Sequence, residues 1–299
     1  MFAIIGLKNI AKNVYFDEPM KKHTSFKIGG NADCLISASS EKEITDVISY
    51  CKNKNISYMV MGNGSNMLVG DKGIRGVVIK IASDMSEIRV ENTTMTAQSG
   101  VLLSKLANTA LKHSLTGLEF AGGIPGSLGG GVFMNAGAYG GEMCNVVESV
   151  RYINSDGEIL TAGKPELDFG YRHSMFCGTD NIIVSAQMKL NEGNSEEIKA
   201  KMSDFAQRRS EKQPLSMPSA GSTFKRPEGY FAGKLIQDCG HKGYSVGGAM
   251  VSEKHSGFVV NKGGATANDV LELIKHVQKT VENKFGVWLE TEVKLVGEF

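Results

Sequence analysis

Gly122-Gly123-Ile124-Pro125-Gly126-Ser127-Leu128-Gly129-Gly130-Gly131 is the stretch on which the fold turns, and six of these ten residues are glycines. Glycine loses more backbone freedom on folding than any other residue, so a cluster of it needs a compensating interaction. Close approach of main-chain N–H groups to a phosphate is the usual one. A second cluster, Gly62-Asn63-Gly64-Ser65-Asn66, lies upstream and reads the same way. A tight turn is the weaker alternative for either alone; the pair points to a ligand with two phosphates, such as a dinucleotide. Neither is a P-loop, because no Gly-Lys-Ser/Thr follows, and Gly62-x-Gly64-x-x-Met67 lacks the third glycine of the Rossmann fingerprint.

Working outward from the upstream cluster, residues 58–61 form a short buried strand that runs straight into Gly62. Residues 33–38 read as a strand. Ser40-x-x-Glu43 then opens a helix with Ile44, Val47, Ile48 and Cys51 on one face. Residues 73–81 supply another strand, giving an α/β unit with its glycine loop at a strand's carboxyl end. Downstream, the spacing predicts a hairpin over 87–98 and an amphipathic helix over 102–113 carrying Leu103, Leu106, Ala110 and Leu111. A further hairpin turns at Ser155-Asp156-Gly157-Glu158, where Asp-Gly signals a type I′ turn. A strand follows over 181–190. Ser195 is the expected N-cap of a helix carrying Ile198, Met202 and Phe205, with Arg208 and Arg209 as its solvated, dipole-complementing end. Thr266-x-x-Asp269 starts a long helix with Val270, Ile274, Val277 and Val281 buried. An apolar strand, 287–289, continues into 290–296.

Composition narrows the function classes. Of 299 residues, 41% are hydrophobic and 22% charged, and the formal net charge is +1, so no basic field argues for nucleic acid or an anionic membrane. Residues 1–7 are too short for a membrane span or a secretory signal and are followed by Lys8. The cysteines Cys34, Cys51, Cys144, Cys177 and Cys239 are scattered, without a Cys-x-x-Cys pair. That pattern fits a reducing cytoplasm rather than a disulfide scaffold or zinc site. No histidine spacing suggests a metal; His173, His255 and His276 read as surface or structural residues.

Taken together, Gly62-Asn63-Gly64-Ser65-Asn66, Gly123-Ile124-Pro125-Gly126-Ser127-Leu128-Gly129-Gly130, Tyr171-Arg172-His173-Ser174, Ala220-Gly221-Ser222-Thr223-Phe224 and Leu289-Glu290-Thr291-Glu292-Val293 resemble the UDP-N-acetylenolpyruvoylglucosamine reductase family. With Thr24-Ser25-Phe26 before them, these blocks follow the family's order over nearly the whole chain. No tyrosine-bearing insertion lies between residues 172 and 222, as in the shorter subtype. The resemblance implies an α+β protein: a two-part FAD-binding domain of the vanillyl-alcohol-oxidase/PCMH type (residues 1–82 and 83–194) plus a smaller α+β substrate-binding domain (195–299). It implies a monomeric cytoplasmic enzyme of peptidoglycan precursor synthesis, hence of cell wall biogenesis, cell shape and division. FAD would be held non-covalently by Gly62, Asn63, Gly64, Ser65, Asn66, Gly123, Ile124, Pro125, Gly126, Ser127, Gly129 and Gly130.

The implied reaction reduces a vinyl ether, attached to a UDP-sugar and bearing a carboxylate. NADPH would reduce FAD, and hydride would then pass to the terminal vinyl carbon, building charge on the carboxylate. By resemblance Arg172 and Glu292 stabilise that charge and Ser222 protonates the neighbouring carbon. Lys225 or Lys212 is a candidate to support the serine; Tyr171 and Lys212 would contact the phosphates or sugar. The family often has asparagine where Arg226 stands. Outside the resemblance Ser222 is a turn residue and Arg172 a surface ion-pair partner, while Glu290 and Glu292 share the solvated face of a strand. Two other readings compete. One is an FAD-dependent oxidase of the same fold acting on an alcohol or lactone, although no histidine stands in either glycine segment to tether a flavin. The other is a non-catalytic nucleotide sensor.

Overall fold

The structure, a computed structural model, describes residues 2–299; Met1, part of the N-terminal stretch read above, lies outside the described residues. A four-stranded sheet runs in the order Val14–Pro19, Asn31–Ala38, Ile74–Ile81, Tyr58–Met61, with Tyr58–Met61 parallel to Ile74–Ile81 and Met61 opposite Lys80. Val77, Val78, Ile79 and Ile81 are all buried, as expected of an interior strand covered on both faces. The helix Glu41–Asn53 buries Ile44, Val47, Ile48 and Cys51 as its period predicts. Only half of its capping box forms: Ser40 Oγ accepts from the Glu43 N–H, but the Glu43 carboxylate takes the N–H groups of Ser39 and Lys12. Burial pushes the Cys51 thiol up to about 11, so it behaves as a small hydrophobe.

The chain divides into two compact units, the first comprising residues up to Tyr15, Cys34–Asn63 and Gly76–Arg209, the second Phe16–Asp33, Gly64–Arg75 and Ser210–Phe299. In the first, a five-stranded antiparallel sheet has the order Ile159–Gly163, Val147–Ile153, Ile182–Lys189, Thr94–Gln98, Ile88–Glu91. The helices Leu103–Lys112 and Leu128–Phe133 belong to the same apolar core, which gathers Met95, Leu103, Leu106, Leu128, Val132, Val150, Phe176 and Met188. Leu111 is only half-buried and Ala107 takes its expected place in that core.

Two expected turns differ in mechanism. The hairpin carrying Gly157 is present, but Gly157 alone has positive φ (+85°), whereas a type I′ turn needs two such residues. Asn154 decides it: its side-chain oxygen accepts from the N–H groups of Asp156 and Glu158, both at 2.9 Å, and its carbonyl accepts from Gly157. The helix Ser195–Lys212 is likewise capped one residue earlier than expected. Asn194 Oδ1 accepts from Glu196 and Glu197, and Ser195 Oγ pairs with Ser114 Oγ at 2.8 Å.

Glu119, just before the glycine cluster, is 4% exposed yet ionised. Burial pushes its carboxyl up, but hydrogen bonds from Thr116 Oγ1 (2.5 Å), its own main chain and the Gly117 N–H (2.9 Å), with Lys201 at 3.8 Å, outweigh it and hold the group below its ordinary range. A depressed carboxyl contributes stability above its unfolded pKa and loses it as pH falls through the folded value. Glu119→Gln is therefore expected to destabilise the protein by about 1–3 kcal/mol at neutral pH. The gap should close on acidification below the ordinary carboxylate range. Urea midpoints of the two proteins across that range check this; a constant gap would refute it.

In the second unit, Ala267–Phe285 begins with the predicted capping box between Thr266 and Asp269 and stops at Gly286, whose φ is +67°. Asp71 also accepts from the N–H groups of Ala267 (2.7 Å) and Asn268 (3.0 Å). Val270, Leu273, Ile274, Val277 and Val281 face a core with Phe26, Leu68, Phe224 and Ile236. The expected strand over 287–296 is confined to Lys294–Val296, parallel to Met67–Val69. Before it the chain is irregular, held where Gln278 Nε2 donates to Leu289 O at 2.8 Å, and Trp288 is 57% exposed.

Candidate functional site

In the first unit the two glycine segments meet. Asn63 Nδ2 donates to Pro125 O at 2.7 Å, and a Cβ on Gly62 would collide with Ser127 Oγ. Ser127 sits at the N-cap of Leu128–Phe133 and is 3% exposed, yet its hydroxyl makes no cap bond and has no protein partner. A buried hydroxyl without a partner carries a desolvation cost of about 1–3 kcal/mol, which a bound phosphate oxygen would offset. Among the described residues the N–H groups of Gly62 and Asn63 donate to no main-chain or side-chain acceptor of the protein. These donors and the space that glycine leaves at position 62 fit a pyrophosphate.

Not every glycine of the longer cluster has that duty. The N–H of Leu128 donates to Val101 O (2.7 Å) and that of Gly129 to Ser99 O (2.8 Å). A Cβ on Gly129 would lie 2.9 Å from Ser99 Cβ, so Gly129 is small because the Val101 segment lies against it. Gly130 is open, and a Cβ there would come no closer than 3.8 Å to Ser127 Oγ. Ile124, Pro125 and Gly126 form the connection, and Gly126 O accepts from the Leu103 N–H.

Arg209 departs from expectation. Arg208 is the solvated partner of Asp204, but Arg209 folds onto the glycine cluster, donates to Gly123 O, and leaves its Nε buried without a partner. It brings a positive charge to a loop that has none of its own. Tyr139 stacks on Phe205 (4.6 Å between centroids), and Phe205 packs against the first unit's core.

Tyr171 and Arg172 occupy the centre of a tight turn closed by reciprocal main-chain bonds between Gly170 and His173 (3.1 and 3.2 Å). Arg172 has φ +55°, a conformation costing a non-glycine residue about 1–2 kcal/mol. Buried Asn135 imposes this turn: its Nδ2 donates to Gly170 O (3.0 Å) and Glu142 Oε2 (2.9 Å), while its Oδ1 accepts from the Cys144 N–H. Ser174 Oγ, donating to Phe133 O at 2.6 Å, holds the other side. The result is a pocket of about 400 Å³ lined by Gly137, Ala138, Glu142, Tyr171 and Arg172, with the guanidinium 5.0 Å from the Tyr171 ring centroid. Asn135 went unassigned in the sequence, although it opens the Asn-Ala-Gly-Ala-Tyr-Gly run.

The second unit brings Ser222 and Glu292 onto adjacent segments. Gly221 has φ +77° and turns the chain into Ser222. Thr223 is then held from three directions: its N–H donates to Gly257 O, its Oγ1 accepts from the Val259 N–H, and its carbonyl accepts from the Glu292 N–H, each at 2.9 Å. Asn66 Nδ2, in the same unit, donates to Glu292 O at 3.1 Å. Glu290 and Glu292 part company: Glu290 is 67% exposed and pairs with Lys225 at 2.5 Å, which commits that lysine, whereas Glu292 is half-buried. Lys212, the last residue of its helix, is exposed.

Residues 213–296 match the family described as UDP-N-acetylenolpyruvoylglucosamine reductase, C-terminal domain, and residues 32–163 match the FAD binding domain family. The UDP-N-acetylenolpyruvoylglucosamine reductase of Caldanaerobacter subterraneus subsp. tengcongensis is 54% identical over 294 residues, 98% of this chain and 97% of the relative. That of Clostridium botulinum is 55% identical over 286 residues, 96% and 93% of the two chains. The crystal structure of the Thermus caldophilus enzyme superposes with a TM-score of 0.81 at 35% identity, covering 95% of this chain and 98% of that one. A more distant likeness, to alkyldihydroxyacetonephosphate synthase (TM-score 0.50, 18% identity, 64% and 40% covered), concerns the fold alone. The fold is the expected α+β architecture with an FAD-binding domain of the vanillyl-alcohol-oxidase/PCMH type. From its glycine segments to its C-terminal glutamates, the chain belongs to the UDP-N-acetylenolpyruvoylglucosamine reductase family.

Proposed function

We propose that this chain reduces the enolpyruvyl ether of UDP-N-acetylglucosamine enolpyruvate to UDP-N-acetylmuramate, with non-covalent FAD as cofactor and NADPH as reductant. The observation that carries the reading is near-complete coverage of relatives bearing the reductase name at more than half identity. Bound FAD would supply the hydride-transfer chemistry between NADPH and the terminal vinyl carbon. The chain supplies the rest. Gly62, Asn63 and Ser127, with the neighbouring residues of both glycine segments, hold the pyrophosphate. Ser222 Oγ gives its proton to the carbon beside the carboxylate. Arg172 and Glu292 stabilise charge on that carboxylate, and Tyr171 and Lys212 contact the phosphates or sugar.

On this reading residues 1–82 and 83–194 are the two parts of the FAD-binding domain and 195–299 the substrate-binding domain. The protein works as a cytoplasmic monomer in peptidoglycan precursor synthesis, and through the cell wall in cell shape and division. No described helix is long and apolar enough to cross a membrane. The purified protein is expected to be yellow, and its nicotinamide absorbance to fall when NADPH and the enolpyruvyl sugar nucleotide are mixed with it. A protein that stays colourless after FAD addition would overturn the proposal. Oxygen-dependent turnover of an alcohol without NADPH would instead support the oxidase reading.

A further inference from the structure

His255 was read from the sequence as a structural residue, yet its contacts lead by short steps to Ser222. Its Nδ1 accepts from the Gly257 N–H at 3.1 Å. Gly257 in turn accepts from the Thr223 N–H through its carbonyl at 2.9 Å, and Thr223 adjoins Ser222. The loop around His255 is closed on itself. Ser252 Oγ accepts from the N–H groups of Lys254 (3.1 Å) and His255 (3.3 Å), and Ser252 N–H donates to Phe258 O (2.8 Å). The imidazole stands edge-on to the Phe258 ring at 5.0 Å and lies against Gly233 and Gly257, where its Cε1 would be 3.4 and 3.0 Å from added Cβ atoms. Gly257 is therefore small because the ring is there, whereas a Cβ on Gly233 would first meet the Gly257 main chain, at 3.2 Å.

We propose that His255 is a positioning residue for proton transfer: its Nδ1 lone pair fixes Gly257, and Gly257 fixes the turn that aims the Ser222 hydroxyl. The inference rests on Ser222 being the proton donor. Burial pushes the imidazole pKa down, against a smaller upward pull from its own main chain, and no charged neighbour contributes. The nearby charges are engaged elsewhere: Lys234 with Asp238 at 2.5 Å, and Lys254 with Ser210 O. His255 is thus neutral near pH 7, with Nδ1 an acceptor. Protonation turns Nδ1 into a donor facing another donor, so the bond breaks on the acid side.

Asparagine separates this role from simple packing. Its Oδ1 occupies the place of Nδ1 and accepts from an N–H two residues on, as in an Asx turn, but it does not titrate. With the FAD-loaded enzyme, His255→Ala is expected to lower kcat about 10-fold to 100-fold with KM within about twofold, because a small misplacement of a reacting group has effects of that order. NADPH-driven flavin bleaching should be unchanged. His255→Asn should recover kcat to within about threefold of the parent and lose the acid limb that the parent develops on the acid side of the ordinary imidazole range. Protection of the Gly257 amide, taken relative to its pH-dependent intrinsic exchange rate, should fall on acidification in the parent but not in His255→Asn. The inference is overturned if His255→Ala keeps kcat within twofold, if the asparagine variant is as slow as alanine, or if its acid limb persists. Should His255→Ala misfold, the asparagine pH profile and the parent's amide exchange decide alone. Full turnover by Ser222→Ala would remove both readings; slow Ser222→Ala beside a fast His255→Ala removes only this one.

Discussion

Ser222→Ala is expected to leave NADPH-driven flavin bleaching intact and to lower turnover of the enolpyruvyl substrate by about 10²–10⁴, the usual contribution of a positioned proton donor. The change is clean because the Ser222 hydroxyl makes no hydrogen bond to the described protein, and the backbone around it is set by its neighbours. Gly221 makes the turn, and Thr223 is anchored to Gly257, Val259 and Glu292. Stability should therefore change by no more than about 0.5 kcal/mol. Serine is a weak acid in water, so its hydroxyl gives up a proton only as the neighbouring carbon becomes anionic. Ser222→Cys offers a proton held less tightly, from a group with a pKa of about 8.5, and should fall less far than alanine. Stopped-flow absorbance separates the two half-reactions. If alanine slows bleaching as much as turnover, the serine is not the donor but part of the frame.

Elements with local causes were legible before the structure. Ala267–Phe285 announces itself through Thr266, Asp269 and an apolar stripe, and each signal lies within a few residues of its effect. Where the cause is distant, the reading failed. The Tyr171–Arg172 turn is imposed by Asn135, whose amide reaches Gly170 from another part of the chain. Arg209 looks like any basic helix end until the fold lays it on Gly123. Glu290 and Glu292 alternate as if on a strand, but the Phe224–Thr291 bridge is isolated and the segment follows its tertiary partners. The glycine clusters stand between: their composition suggested a shared ligand, whereas the commitment of the Gly129 N–H to Ser99 O depends on a segment distant in the sequence. The roles of Ser222, Arg172 and Glu292 came from resemblance, since no spacing in the chain singles them out.

Arg172→Gly and Arg172→Ala are expected to lose the same activity, about 10²–10³ in kcat, but to differ in stability. Activity follows the cation. In the Arg172 pocket the other charged side chain among its lining residues is Glu142, held by the Asn135 amide at 2.9 Å. Removing the guanidinium leaves that negative charge facing an anionic substrate, so KM should rise as kcat falls. Stability follows the backbone. With φ at +55°, alanine keeps the strain of the turn and glycine releases it, so the glycine variant should be the more stable of the two by about 1 kcal/mol. Both variants lose the contact with the Tyr171 ring, worth about 0.5–1 kcal/mol, which cancels in the comparison. Urea unfolding and steady-state kinetics on the pair test the two halves separately. Equal stabilities would mean the turn relaxes when arginine leaves; retained kcat in either variant would mean the charge is not used in the reaction. The expected combination is the better-folded variant being as slow as the worse: Asn135 holds a conformation unfavourable to arginine, and on the proposed reading that conformation positions the charge.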